Sequence, residues 1–187
     1  MLKKALVLLA DGFEEVEAIT PVNYLKRAGI AVTTAAIGSS TNVKGARAQL
    51  TVIADTTLEE LSPGACCFDA VILPGGLPGA ENLAACQRTC TLLKEMAAAG
   101  KLVCAICASP ALVLAPLGIL NGKKFTCYPG MEEKVQNGNW SADRVVVDDN
   151  IITSRAAGTS GEFSIAIIAA LMGEETAKKI SETVLLG

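Results

Sequence analysis

The strongest constraint on the fold is the alternation of short, continuously apolar segments with longer helical ones. The apolar segments have the length of strands buried on both faces, and they are residues 4–10, 30–37, 69–73, 102–106 and 151–154. The predicted helices are residues 14–29, 78–100, 111–117, 159–172 and 174–186. This alternation predicts an α/β fold with a mostly parallel sheet and helices on both faces, whose site lies beyond the carboxyl ends of the strands.

The remaining stretches carry weaker patterns. Residues 44–54 predict a hairpin or an edge strand, residues 124–128 a short strand, and residues 130–137 a short helix. Residues 145–147 predict a strand that pairs with 151–154 as a hairpin. Because the chain has 187 residues and no linker or internal repeat, we expect one domain over residues 1–187.

Composition excludes several classes of function. Apolar residues make up 51% of the chain and charged residues 19%, which is typical of a globular protein. No apolar run reaches about 18 residues, so we expect no membrane span. The net charge of −3, without basic runs, argues against a nucleic-acid partner.

Histidine is absent from the chain, and this limits its chemistry. Ser-His-Asp catalysis, Cys-His catalysis and histidine-ligated metal sites within the chain are all excluded. Proton transfer must therefore use a carboxylate, Tyr, Lys, Cys or water. The seven cysteines, an odd number, indicate free thiols in a reducing cytoplasm and not a disulfide framework.

One of these cysteines, Cys107, directly follows the predicted strand 102–106. Pro110 comes three residues later and suits the first turn of a helix. This order places Cys107 on a sharp strand-to-helix turn, in the manner of a nucleophile elbow. Backbone N–H groups and the helix dipole would then lower the pKa of Cys107 and favour its thiolate. The alternative is an inert cysteine buried in the core.

Three glutamates follow the first predicted strand. Glu14 and Glu15 are interpreted as partners of the helix dipole. Glu17 lies closer to the apolar side of the helix, and a half-buried carboxyl there would have a raised pKa. Glu17 is therefore the candidate to share a proton with a thiolate, although it too could serve only the dipole.

A Pro-Gly-Gly turn ends the predicted strand 69–73. Gly75 and Gly76 either serve only a tight turn or allow close backbone approach. In the second case the N–H of Gly76 faces a developing oxyanion, beside the N–H of Ala108. No glycine-rich nucleotide-binding pattern is present, so we expect no nucleotide.

The other cysteines do not form a recognisable redox or metal motif. Cys104 and Cys107 spell Cys-x-x-Cys, but three residues along a strand separate their Cα atoms by roughly 10 Å. A disulfide needs less than about 7 Å, so Cys104 is assigned to the core. No metal is expected, because a zinc site made of cysteines alone would need paired spacing. No role is assigned to Cys66, Cys67, Cys86, Cys90 and Cys127.

Taken in order, the motifs resemble the ThiJ/PfpI superfamily, in particular its group of parkinsonism-associated protein deglycases and their bacterial relatives. The similar stretches are residues 5–17 (ALVLLADGFEEVE), 26–32 (KRAGIAV), 71–76 (VILPGG), 79–82 (GAEN), 105–108 (AICA) and 153–155 (TSR), with Gly158 and Thr159 after them. They extend over nearly the whole chain and are jointly highly specific.

This resemblance implies a flavodoxin-like three-layer sandwich that forms a homodimer. It implies that Cys107 is the reactive, readily oxidised cysteine and that Glu17 hydrogen-bonds to it. Gly76 and Ala108 correspond to the backbone donors around the sulfur.

Four more residues are expected to line the site: Gly75, Tyr128, Arg27 and Arg47. Tyr128 stands where members with strong activity often carry His. The resemblance therefore does not extend to activities that need an imidazole.

The resemblance implies two classes of function. The first is a cofactor-free enzyme that converts methylglyoxal or glyoxal to a hydroxy acid, or removes their early adducts from proteins. In that mechanism Cys107 adds to the aldehyde, backbone N–H groups hold the oxyanion, and Glu17 moves a proton between the two carbons. The second class is a redox sensor or chaperone-like protective protein with an oxidisable Cys107. The expected partners are a small aldehyde or a glycated protein, and a second copy of the chain.

Overall fold

The structure, a computed structural model, describes residues 2–61 and 67–186 and is built around one large sheet. Its strands are β1 (Lys4–Leu9), β2 (Ala31–Ala36), β3 (Asn42–Lys44), β4 (Thr51–Ile53), β5 (Thr56–Thr57), β6 (Ala70–Leu73), β7 (Leu102–Ile106), β8 (Lys124–Phe125), β9 (Asn139–Trp140), β10 (Val145–Asp148) and β11 (Ile151–Ser154). Seven of them form the sheet in the order β10-β11-β7-β6-β1-β2-β5. Every neighbouring pair is parallel except β10 and β11.

Helices cover both faces of this sheet. They are α1 (Glu15–Arg27), α2 (Gly79–Ala85), α3 (Gln87–Ala98), α4 (Ser160–Met172) and α5 (Glu174–Thr183). Alternate residues of β1 belong to opposite cores: Val7 lies in the core that contains Phe163 of α4, and Leu8 lies in the core that contains Leu93 of α3. None of the helices among residues 2–61 and 67–186 has both the length and the apolar character needed to cross a membrane.

The predicted α/β sandwich is thus confirmed, and β1, β2, β6, β7 and β11 lie where continuous apolar runs placed them. Apolar runs of this kind are required when both faces of a strand are covered, because neither side offers water to a polar side chain. The predicted hairpin of β10 and β11 is also confirmed. Residues 42–53 form a separate hairpin of β3 and β4.

Some helical boundaries differ from the prediction. Residues 78–100 form two helices, because Cys86 between them has extended backbone with ψ 108°. No Gly or Pro marks this break. The predicted helix at residues 111–117 is instead a single π-helical turn, Pro110–Leu114. The predicted helix at residues 130–137 contains only a 3-10 turn, Glu132–Lys134. Strand β5 was not predicted, since two residues are too few to show a period.

Candidate active site

Cys107 occupies the turn that directly follows β7. Its φ is +65°, a left-handed conformation that a residue with a side chain rarely adopts. Two hydrogen bonds hold it there: its N–H donates to the Ser154 carbonyl at 3.0 Å, and its carbonyl accepts the N–H of Tyr128 at 2.8 Å. A strained backbone fixed by its neighbours is a feature of functional sites. The predicted strand-to-helix elbow is therefore present.

Glu17 lies in the first turn of α1 and is buried, with only 1% of its surface exposed. Its Oε2 accepts the N–H of Gly75 at 2.8 Å, and its carboxyl is hydrogen-bonded to the Cys107 thiol and to the Ala157 N–H. Burial raises the pKa of Glu17 to about 7, and the charge of Glu14 adds to this, while the three hydrogen bonds act in the opposite direction. The raised pKa agrees with the prediction, although burial is deeper than expected.

The pKa of Cys107 departs from the prediction. Burial, and then the charge and hydrogen bond of ionised Glu17, raise the pKa of Cys107 to about 12. The N–H groups of Gly76 and Ala108 lower it by a smaller amount. Once Glu17 is protonated, its charge is gone and its O–H donates to sulfur, which favours the thiolate. Glu17 and Cys107 therefore compete for one proton. When the proton is on the Glu17 carboxyl, Cys107 is a thiolate.

Gly75 brings the thiol and the carboxyl together because it has no side chain. A Cβ at this position would lie 2.6 Å from the Cys107 Cβ, 2.8 Å from Glu17 Oε2 and 3.1 Å from the Ala108 nitrogen. Real Cβ atoms essentially never show the first two distances, and the third is tighter than nine in ten real Cβ contacts. The Ser109 hydroxyl donates to the Pro74 carbonyl at 2.6 Å and ties the elbow to the same turn.

Gly76 is also required by its surroundings. Its φ is +89°, and a Cβ would lie 2.5 Å from both the Glu14 nitrogen and the Gly12 carbonyl oxygen. Gly76 and Ala108 both direct an N–H to the Cys107 sulfur. An oxyanion that forms next to this sulfur would find the same two donors.

The structure does not bring every predicted residue to the pair. The backbone N–H of Tyr128 is bonded to the Cys107 carbonyl, but 48% of the surface of Tyr128 is exposed. Arg27 is the last residue of α1, ten residues and roughly 15 Å along the helix from Glu17. Its Nε donates to the Asn23 side chain at 2.7 Å. Arg47 is exposed, and its backbone N–H donates to Glu15.

Sequence reasoning missed the main-chain groups that hold the pair. These are the N–H of Ala157 and the carbonyl of Ser154, which no side chain identifies, and the N–H of Gly75, a residue that was expected to line the site but not to bond to Glu17. It also misassigned Glu15. This residue does not simply face the dipole but is buried, with its carboxylate bonded to the loop between β3 and β4.

The other described cysteines take no part in the pair. Cys104 and Cys127 are buried, Cys67 is exposed, and the Cys90 thiol donates to the Ala84 carbonyl at 3.3 Å. Cys66 falls outside the described residues. Within residues 2–61 and 67–186, no three acidic or cysteine side chains are grouped so as to hold a metal ion.

Comparison with known proteins places these features in a family. Residues 3–170 match the model of the DJ-1/PfpI family. Protein DJ-1 homolog A of Arabidopsis thaliana is 42% identical over 181 residues, 97% of this chain but 45% of that protein, so this chain spans less than half of that relative. A glutathione-independent glyoxalase of Caenorhabditis elegans is 38% identical over 92% of this chain and 91% of its own length. The structure of oxidized DJ-1 from Toxoplasma gondii, 35% identical, agrees with a TM-score of 0.93 over 98% of both chains.

The first prediction concerns the close approach at Gly75. We expect Gly75→Ala to leave a folded protein but to push the Cys107 thiol away from Glu17, because the added Cβ overlaps both. The rate of Cys107 alkylation should change, as measured by intact mass over time. Gly38→Ala is the matched control, since a Cβ there meets nothing within 4 Å. Equal alkylation rates in the two variants would contradict the close approach.

The second prediction concerns Glu17 and stability. The pKa of Glu17 is raised from 4.5 to about 7 on folding, so between these values the folded state keeps a proton that the unfolded state has released. The contribution of Glu17 to the free energy of unfolding should therefore be fully present below about pH 4.5 and be lost, by roughly 3 kcal/mol, as pH rises through about 7. Urea titrations across this range should show the fall in the wild type and its loss in Glu17→Gln. The same slope in both proteins would contradict the raised pKa.

Proposed function

This chain belongs to the DJ-1/PfpI family, and from this we propose that it is a cofactor-free, cysteine-dependent enzyme acting on α-oxoaldehydes or their early protein adducts. The observation that carries the proposal is the contact between the Cys107 thiol and the buried Glu17 carboxyl, whose pKa is about 7. A group that titrates near neutral pH can both accept and donate a proton during turnover. The C. elegans relative, named a glutathione-independent glyoxalase, supports the same reaction class.

In the first step, Cys107 adds to the aldehyde carbon. Glu17 takes the thiol proton as the S–C bond forms, and the carbonyl π electrons move to oxygen. The N–H groups of Gly76 and Ala108, which already face the sulfur, hold that oxyanion. Glu17 then returns the proton to oxygen, which leaves a neutral hemithioacetal and an ionised carboxylate.

In the second step, Glu17 moves a proton between the two carbons. Its carboxylate takes the proton from the hemithioacetal carbon, and the electrons of that C–H bond form an enediolate, with the charge on the former ketone oxygen. The hydroxyl proton of the first carbon passes to that oxygen. Glu17 then gives its proton to the neighbouring carbon, the C=O bond of the first carbon forms, and a thioester to Cys107 results. Water cleaves this thioester to the hydroxy acid and regenerates the thiol, so the reaction needs no external oxidant or reductant.

Tyr128 argues for slow turnover. It stands beside the Cys107 backbone, where family members with strong activity often carry His. Histidine is the side chain that ordinarily gains and loses a proton near neutral pH, and this position lacks it. Glu17 is then the main proton carrier in this site.

A redox sensor is the second candidate, and the same donors favour it. Peroxide oxidises the Cys107 thiolate to a sulfenate and then to a sulfinate, with one water released at each step. Sulfinate oxygens would accept the N–H groups of Gly76 and Ala108, and protonated Glu17 would donate to them. The structural relative from T. gondii is described as oxidized.

One experiment separates the two candidates through Glu17. In the enzyme Glu17 must gain and lose a proton in each turnover, so we expect Glu17→Gln to reduce lactate production from methylglyoxal by about 10²- to 10⁴-fold. In the sensor an amide still donates a hydrogen bond, so Glu17→Gln should still gain two oxygens under mild peroxide.

Lactate production and intact mass are measured on the wild type, Glu17→Gln and Cys107→Ala, which should be inactive in both assays. A wild type that makes no lactate but gains two oxygens on Cys107 would exclude the enzyme and favour the sensor. Equal turnover by the wild type and Glu17→Gln would exclude the proton transfer described above.

We further propose that the chain forms a homodimer through one apolar surface. Val16 and Ile19 on α1, and Leu50 and Ile53 on the β3–β4 hairpin, are 44–74% exposed. The hairpin loop is bonded to the first turn of α1, so these side chains belong to one region. Grouped exposed apolar side chains of this kind mark protein interfaces.

Sedimentation tests the dimer. We expect the wild type to sediment as a dimer at micromolar concentration and Ile19→Glu to shift toward monomer, because a charge would be buried in the interface. Val147→Glu is the control, since Val147 is 55% exposed on the edge strand β10. A wild-type monomer would contradict the proposal.

The proposed setting is a reducing cytoplasm, where a chain with free cysteines keeps its thiols. The proposed substrate there is a small aldehyde or a glycated protein.

A further inference from the structure

Glu15, two residues before Glu17, is a buried carboxylate without a role in the chemistry above. It is 6% exposed, and its two oxygens accept the N–H groups of Ala48 at 2.8 Å and Arg47 at 3.2 Å. Burial alone would raise the pKa of Glu15, but its own N–H and those of Arg47, Ala48 and Leu50 lower it overall. The carboxylate is therefore charged at neutral pH, and backbone dipoles compensate its charge.

The loop between β3 and β4 closes around this carboxylate. The N–H of Gly45 donates to the Leu50 carbonyl at 2.8 Å, and the Gln49 side chain donates to the carbonyls of Gly45 and Ala46 at 3.3 and 3.0 Å. A Cβ on Gly45 would overlap the Glu15 carboxylate, so the loop fits only around this group. Successive backbone N–H groups of this kind form an anion-binding nest, and here the chain supplies the anion.

The same loop is connected to the glycines beside Cys107. The N–H of Gly12 donates to the Lys44 carbonyl, and the N–H of Ala46 donates to the Phe13 carbonyl, both at 2.8 Å. The turn formed by Gly12 and Phe13 in turn packs directly on Gly76, where a Cβ would lie 2.5 Å from the Gly12 oxygen. A shift of the loop is therefore transmitted to the Gly76 N–H through one layer of backbone.

We propose that Glu15 is a positioning residue, which holds the Gly76 N–H and the first turn of α1 in register with the Cys107 sulfur. It acts through the loop 45–50 on the Gly12–Phe13 turn, and through the helix on Glu17 in the same turn. It does not touch the reacting atoms. The effect on turnover rests on the proposed function, whereas the effect on thiol reactivity does not.

The test is Glu15→Gln, which keeps the size of the side chain. It replaces one of the two accepting oxygens with an NH₂ group, so that a donor faces a backbone N–H. We expect Cys107 alkylation by iodoacetamide at neutral pH to slow, and kcat for methylglyoxal to fall roughly 10-fold or more with a smaller change in KM, because small misplacements in a site are costly. Glu15→Asp keeps the charge and should recover part of both rates. Glu60→Gln is the control, since Glu60 accepts the Thr57 N–H at 3.1 Å in another loop.

A second variant reaches the same contact from the other side. Gly45→Ala displaces the Glu15 carboxylate without changing its chemistry, so it should reproduce the slower alkylation of Cys107. If Glu15→Gln fails to fold, Gly45→Ala provides the test in its place. Wild-type alkylation rates in folded Glu15→Gln or folded Gly45→Ala would overturn the proposal, even if unfolding free energy falls. If the wild type has no turnover, the proposed enzyme fails, and the alkylation rates alone decide the role of Glu15.

Discussion

The structure of the site depends on one backbone conformation, the left-handed φ of Cys107. In this conformation the thiol lies beside the Glu17 carboxyl and the N–H of Gly76. It is stable because β11 lies beside β7 and offers the Ser154 carbonyl to the Cys107 N–H. The parallel order of β11, β7, β6 and β1 brings the ends of four strands to one edge, so the sheet topology itself assembles the groups.

The second constraint is electrostatic. Placing a carboxyl and a thiol side by side out of water disfavours both charges, and the pKa values of Glu17 and Cys107 are raised accordingly. The chain limits this cost with main-chain donors and not with a cation: Gly75 and Ala157 bond to the carboxyl, and Gly76 and Ala108 face the sulfur. A buried cation would fix the charge state of the pair, whereas neutral dipoles leave the proton free to move.

This construction explains what the sequence could and could not predict. The apolar strands of the sheet and the elbow at Cys107 were predictable, because strands buried on both faces need apolar runs and Pro suits the first turn of a helix. The polar strand β5 was not predictable. The main-chain donors were visible only through Gly75 and Gly76, whose missing side chains are required by the close approach. The pKa of Cys107 was predicted in the wrong direction, since the sequence displays neither its burial nor the neighbouring charge of Glu17. The break at Cys86 has no breaker residue and therefore no sequence signature.

The two candidate functions use the same proton in opposite ways. Addition to an aldehyde requires Glu17 to accept the thiol proton, whereas a sulfinate on Cys107 requires Glu17 to donate one. A carboxyl with an ordinary pKa would be ionised at neutral pH and could only accept, and one raised much further could only donate. A pKa of about 7 for Glu17 serves both directions. Under either proposed function, the incoming electrophile, a carbonyl carbon or a peroxide oxygen, would determine which reaction follows.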